Sequence, residues 1–423
     1  MKFSRRAVLR DGVLTVGAGL MGPSIFNTLM AQPASGATAH ATMQSNGKIL
    51  VVVQLAGGND GLNCVVPITD PLYKQYRPTI GLSAADTIPL TPQLGLNGKL
   101  SALKPLWDAK QMAIITNVGY PNPNLSHFQS SYIWETLDMT GAQGSSRTGW
   151  LGNYLKNSGA TISQPFSGLD DGNQLSATFM APGISVPTIS SANNFVIAPD
   201  SGSKATSAQR NKAVFSLYQS FAQENAQNPQ AMLLANVAQV TNTATIDFAK
   251  ANANYKPAVP YPAKNTLADG LKIIATAITQ GLNMNIGYAS IGGFDTHAAE
   301  VTVHDTLYPT VAGAIAAFWQ DMHAQNMADK IVMMTWSEFG RRPKENGSNG
   351  TDHGTASPLF VFGPSVAGGV HGDPPDLKNL DPSGNLIFKT DFRSVYATII
   401  DKWLGGNSQT VLGGSYPTLD FIK

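Results

Sequence analysis

The run Ile49–Leu55 is almost continuously apolar, with three valines in a row, the pattern of a strand buried on both faces of a sheet. It stops at Gly57-Gly58-Asn59-Asp60-Gly61, a turn sequence. Residues 113–118, 284–291, 331–335 and 359–362 repeat the pattern, and each run is short. Helical patterns cover 267–279, 311–322 and 392–404. Strands alternating with helices predict an α/β fold, a doubly wound and mainly parallel sheet flanked by helices. Between the second and third runs the texture changes. Residues 164–199 are rich in Ser, Pro, Gly and Asn with short β-prone pieces, and 211–251 read as one or two helices rich in Ala and Gln. The stretch 145–260 is therefore expected to be an insertion or cap on an α/β domain spanning 42–423.

Composition excludes several classes. Hydrophobic residues make up 43% and charged residues 13%, which supplies a large core and argues against disorder. The formal charge of +1, with no run of Lys or Arg, gives no footprint for nucleic acid. A single cysteine, Cys64, flanked by Leu62, Val65 and Val66, rules out an internal disulfide and reads as a small core residue.

The N-terminus reads as an address. Ser4-Arg5-Arg6-Ala7-Val8-Leu9-Arg10 precedes a short apolar stretch diluted by glycine, and Ala37-Thr38-Ala39 and Ala39-His40-Ala41 offer small-x-small cleavage points. The string resembles a bacterial twin-arginine signal over residues 1–41, which implies the twin-arginine export machinery as a partner and a periplasmic or secreted destination. An uncleaved anchor is the alternative. No later segment is long and apolar enough for a stable membrane span.

In open parallel sheets ligands bind at the carboxyl ends of strands, and unusual residues gather there in this chain. Asp60, after the first strand, is either a ligand for a hard cation or part of an Asn-Asp turn. Ser126 and His127 open a helix after the second strand; Ser126 with Gln129 forms a capping-box pattern, and a helix N-terminus can also receive an anion. Asp295 and His297, two apart in a glycine-bounded loop, can turn toward one metal or hydrogen-bond to each other. Glu338 with Arg341 can hold a cation and an anionic group together, or form a plain ion pair. Asp352 and His353 make a second Asp–His pair framed by glycines. His304 and His323 fall on or beside a helix and are assigned to packing or surface, and His371 lies in a loop after the fifth strand.

Gly57-Gly58-Asn59-Asp60-Gly61, Ser126-His127-Phe128, Gly293-Phe294-Asp295-Thr296-His297, Ser337-Glu338-Phe339-Gly340-Arg341 and Thr351-Asp352-His353-Gly354 together resemble domain-of-unknown-function family 1501. The closing Asp391-Phe392-Arg393-Ser394-Val395-Tyr396 belongs to the same resemblance. It implies the fold of the alkaline phosphatase and sulfatase superfamily and a two-metal site in which a Ser or Thr at a helix N-terminus attacks phosphate or sulfate. By position, Asp60, Asp295, His297, Glu338 and His353 would be ligands and Ser126 the nucleophile. Phe339 departs from that pattern, standing where a histidine ligand is expected, and a phenyl ring binds no metal. The Asp295–His297 spacing is also tighter than in phosphatases.

The expectation is a metal-dependent hydrolase of phosphate or sulfate esters, using a divalent ion (zinc, manganese, calcium or magnesium) and a small anionic ester as substrate. The catalytic candidates are Ser126, His127 and Arg341; the metal candidates are Asp60, Asp295, His297, Glu338, Asp352 and His353. Two rivals remain: a non-catalytic binding or assembly protein that retains the fold, which Phe339 favours, and a metal kept only as a structural clamp.

Overall fold

The computed structural model describes residues 47–140, 148–193, 195 and 207–423; the leader and its cleavage points lie outside them. The chain divides into two compact units. The larger comprises Asn46–Ser146, Pro257–Lys272 and Tyr288–Lys423. Its sheet is built from β1 (Ile49–Leu55), β2 (Met112–Gly119), β3 (Ile286–Ile291), β4 (Ile331–Trp336), β7 (Ser357–Phe362) and β8 (Gly369–His371), with β9 (Thr390–Asp391) also pairing β2. Two short strands, β5 (Arg341–Glu345) and β6 (Thr351–His353), form a hairpin of their own.

The sheet runs β8-β2-β7-β4-β1-β3. β1 and β4 pair in parallel, with Ile49 opposite Ile331 and Gln54 opposite Trp336, and β8 and β9 are parallel to β2. Burial follows the composition: every residue of β2 and β4 is buried, and only Gln54 of β1 is not. The mostly parallel sheet expected from the apolar runs is therefore present. One strand differs. β7, the fifth apolar run, is antiparallel to both β2 and β4. The chain reaches it from β4 through the β5–β6 hairpin, and without a helical crossover it cannot return in the same direction.

Three helices come after strands of this sheet: α1 (His127–Thr136) after β2, α2 (Glu300–Ala324) after β3 and α3 (Phe392–Thr398) directly after β9. Asp391 caps α3 by accepting from the Arg393 amide, and the helix continues as a π-helical turn, Ile399–Leu404, which the uniform pattern over 392–404 did not distinguish. The smaller unit holds Arg147–Lys256 and Ile273–Gly287. The segment read as one or two helices is two, Ser207–Glu224 and Pro229–Asn254, and Phe248 of the second meets the rings of Phe166 and Phe195. The β-prone stretch before it contributes a single three-residue strand among the described residues, Gly168–Asp170.

Beneath the strand ends of the larger unit lies a sealed polar network. Arg77 and Asp60 are each 0% exposed and meet in a two-point ion pair, Nη1 to Oδ2 at 2.5 Å and Nη2 to Oδ1 at 2.8 Å. Arg77 also donates to the Pro343 and Arg342 carbonyls, fastening β5 to this core. Next to the pair, Glu300 at the start of α2 accepts from Asn63, Thr296 and Thr351, so one carboxyl joins the loop after β3 to the start of β6. Burial, and then the charge of Asp60, push the Glu300 carboxyl up to about 9, so it is protonated at neutral pH. Burial would raise Asp60 as well, but the Arg77 charge and hydrogen bonds prevail and lower it to about 2.

Two consequences are measurable. Asp60→Asn strands a buried guanidinium and should cost about 3–5 kcal/mol, read as a lower urea midpoint at unchanged slope; an unchanged midpoint would show that Arg77 is not held by this pair. The pH dependence has a definite sign. The Glu300 carboxyl is raised in the fold, so its contribution is fully present below its ordinary value of 4.5 and is lost as pH rises toward 9. Urea titrations across that window should show a decline that Glu300→Gln flattens.

Candidate metal centre

The loops at the strand ends converge on one carboxylate oxygen. Asp295, after β3, points Oδ1 toward the Nε2 atoms of three histidines: His297 at 3.1 Å, His353 at 3.2 Å and His127 at 3.5 Å. His297 Nε2 and His353 Nε2 lie 2.9 Å apart. His127 is the first residue of α1, His297 follows β3, and His353 ends β6.

Each imidazole is oriented from behind. His353 Nδ1 lies 2.8 Å from the Leu125 carbonyl, His127 Nδ1 is 2.8 Å from Glu338 Oε1, and His297 Nδ1 is 3.3 Å from Asp352 Oδ1. These partners accept hydrogen bonds, so each places the proton on Nδ1 and leaves the Nε2 lone pair facing the cluster. Burial pushes His353 below the ordinary histidine value, toward the neutral ring. His297 Nε2 and His353 Nε2, 2.9 Å apart, need either a proton or a cation between them, and among the described residues the buried His127 Nε2 has no hydrogen-bond partner.

The chemistry of this donor set fits a divalent ion. Imidazole nitrogens and a carboxylate are a zinc-type set, and metal–nitrogen bonds of about 2.0–2.1 Å in a tetrahedron place neighbouring donors about 3.3 Å apart. The separations from Asp295 to each ring and from His297 to His353, 2.9–3.5 Å, bracket that spacing, and one donor atom each from His127, Asp295 and His353 lies within 4.8 Å of the others. Charge agrees. Asp295, Glu338 and Asp352 bring three negative charges and Arg341 one positive, so with neutral rings the cluster carries two negative charges.

Backbone packing holds the loops in register. A Cβ on Gly57, where φ is +120°, would lie 2.5 Å from the Asp295 amide nitrogen, and one on Gly350 would lie 2.4 Å from the His297 backbone. Asn346 adds bonds to the His297 carbonyl and to Asp352 Oδ1.

The residues singled out from sequence separate into groups. Asp295, His297 and His353, candidates for metal, come together, and His127, a candidate for catalysis, offers its Nε2 to the same point. Glu338 and Asp352 stand behind histidines: Glu338, 2% exposed, accepts from the Gly57 amide as well as from His127. Asp60 is not brought to the cluster, because both of its oxygens are committed to Arg77. Arg341 is not free to hold a substrate anion: it is 1% exposed and its guanidinium is spent on Asp295 Oδ1 at 2.6 Å and on four carbonyls. That contact also governs Asp295. Burial raises its carboxyl, but the hydrogen bond and charge of Arg341 outweigh burial and bring it to about 2. Ser126 stands at the α1 N-cap, exposed, with no capping bond from its side chain. Gln129 accepts from Asn124 instead, and Asn124 Oδ1 receives the Ser126 amide, so an Asx-turn replaces the capping box. Phe339 packs its ring against His127 and His353, at centroid distances of 4.9 and 4.7 Å. His304 is buried against Tyr308 and His323 is at the surface beside Gln111, while His371 is the last residue of β8 and not a loop residue.

Arg77 and Glu300 were not singled out from sequence. Arg77 sits between Tyr76 and Pro78 with no local pattern to mark it, and Glu300 looks like an ordinary first-turn acid of a helix.

Among solved structures the chain is similar to the PsFucS1 sulfatase of Pseudoalteromonas sp., at 12% identity and a TM-score of 0.37, over 87% of this chain and 68% of that one. It is also similar to a mutant of TAB5 alkaline phosphatase with Mg bound, at 10% and 0.34, over 77% and 93%. A third is a protein in the alkaline phosphatase superfamily from Vibrio parahaemolyticus, at 9% and 0.31, over 98% and 76%. No curated protein matches. The family described as "Protein of unknown function (DUF1501)" matches residues 47–384, and the chain belongs to it.

Proposed function

We propose that the protein is a metal-dependent hydrolase of phosphate or sulfate esters, acting in the periplasm or outside the cell. The observation that carries this reading is the convergence of three Nε2 atoms on Asp295, each ring backed by an oxygen acceptor. A divalent ion held by His127, His297, His353 and Asp295 would supply Lewis-acid polarisation of an ester oxygen and a lowered pKa for a bound hydroxyl.

The chain's own groups complete the site. Ser126 lies between Leu125, whose carbonyl receives His353 Nδ1, and His127. Its hydroxyl is exposed at the N-terminus of a ten-residue helix, where unpaired backbone N–H groups favour an anion. In the proposed reaction Ser126 Oγ bonds to phosphorus or sulfur, and the ester oxygen leaves with its electron pair and takes the serine proton. Water then displaces the anion from Ser126 and restores the hydroxyl. Glu338 and Asp352 act as positioning residues through their histidines. Arg341 keeps Asp295 ionised.

A second reading, the metal as a structural clamp, is favoured by the origin of the ligands in three separate segments, the start of α1, the loop after β3 and the end of β6. The same measurements separate the two. Protein purified without chelator should contain divalent metal by elemental analysis, and Asp295→Asn should lose it. Aromatic phosphate and sulfate esters should be turned over. Ser126→Ala should lower kcat about 10⁴-fold while keeping the metal. Glu338→Gln should weaken metal affinity about 10–100-fold. Metal without turnover of any ester would leave the clamp, and a metal-free folded protein would remove both readings.

A further inference from the structure

We propose that this centre takes a single divalent ion and that the Arg341 guanidinium is its fixed second cation, filling an oxygen cage at the strand ends. The proposal rests on the metal-dependent reading of the same site. Arg341 Nε donates to the Gly58 carbonyl at 2.7 Å and Nη1 to the Thr351 carbonyl at 3.0 Å. Nη2 meets the Gly57 carbonyl, the Phe294 carbonyl at 3.0 Å and Asp295 Oδ1 at 2.6 Å. Four carbonyls and a carboxylate, all oxygen and all at hydrogen-bond distance, are the kind of donor set a hard cation takes. Here a guanidinium on a side chain 1% exposed takes them.

Electrostatics and space both limit the centre to one further ion. Three carboxylates against the Arg341 guanidinium leave two negative charges, which the charge of Arg342 acting on Asp352 lessens, so a single divalent ion is enough to neutralise them. A second would leave two uncompensated positive charges in a partly buried site, at a large desolvation cost. Two of the other carboxylates expected as ligands are already committed. Glu338 Oε1 receives the Gly57 amide and His127 Nδ1, and Oε2 faces the Ser337 hydroxyl. Asp60 is closed by Arg77. The Phe339 ring lies against both His127 and His353, where another donor would have to stand.

The test is metal stoichiometry, measured without reference to turnover. The mature protein, stripped with chelator and titrated calorimetrically with zinc or manganese, should saturate at one equivalent, matched by elemental analysis of protein never exposed to chelator. Two equivalents would overturn the proposal and leave the hydrolase reading standing; none would overturn both. Phe339→His restores a donor without touching Arg341 and should still bind one equivalent, whereas two would show that Arg341 does not fill the second position. Arg341→Ala empties the cage. If it folds, it should melt at a lower temperature than wild type, recover part of that loss in millimolar calcium or magnesium, and bind a second equivalent. An Arg341→Ala protein that folds, still binds one ion and melts independently of divalent ions would reduce Arg341 to a structural linker and overturn its role as a cation.

Discussion

One guanidinium holds the strand ends of the larger unit together. Arg341 takes carbonyls from the loop after β1, the loop after β3 and the start of β6, and a carboxylate from Asp295, while itself almost wholly shielded from solvent. Loops carry backbone polar groups that must be satisfied if they are to be buried, and four of those groups are satisfied here by one side chain. The geometry of the histidines depends on it. Asp295 is ionised and fixed because Arg341 holds it, and the three rings are arranged around Asp295.

A second network, chemically different, supports the first. The Asp60–Arg77 pair and the protonated Glu300 form a polar core closed to water, and Glu300 receives the hydroxyls of Thr296 and Thr351, each adjacent to candidate ligands. Buried charges of this kind contribute little net stability against a well-packed apolar core. What they supply here is position: each donor and acceptor fits only one arrangement of the two loops. Ligands held rigid by satisfied partners are what a metal site requires to keep its donors within tenths of an ångström.

Much of this was legible in the sequence because it follows from periodicity. The apolar runs ending in glycine or turn residues located five strands, and the polar residues behind them located Asp295, His297 and His353. What could not be read was direction and partnership. Nothing in the run Leu359-Phe360-Val361-Phe362 distinguishes an antiparallel strand from its parallel neighbours; the hairpin before it decides. Asp60 looked like a cation ligand because its partner, Arg77, is supplied by a short helix end with no motif of its own. Arg341 looked like an anion binder because sequence shows a charge without showing that five oxygens already surround it. In sequence His127 is marked only by its place at the start of a helix after the second strand, and only the fold shows that its Nε2 turns to the cluster.

The place of the Arg341 guanidinium bears on how the centre is assembled. Where a metal alone gathers its loops, the empty protein is loose and binding is coupled to folding. In this chain the loops are already gathered by a cation that is part of the polypeptide. The three rings are aimed by Leu125, Glu338 and Asp352, contacts that need no ion. Loading an ion would then be the filling of a preformed vessel, and emptying it an event separate from unfolding.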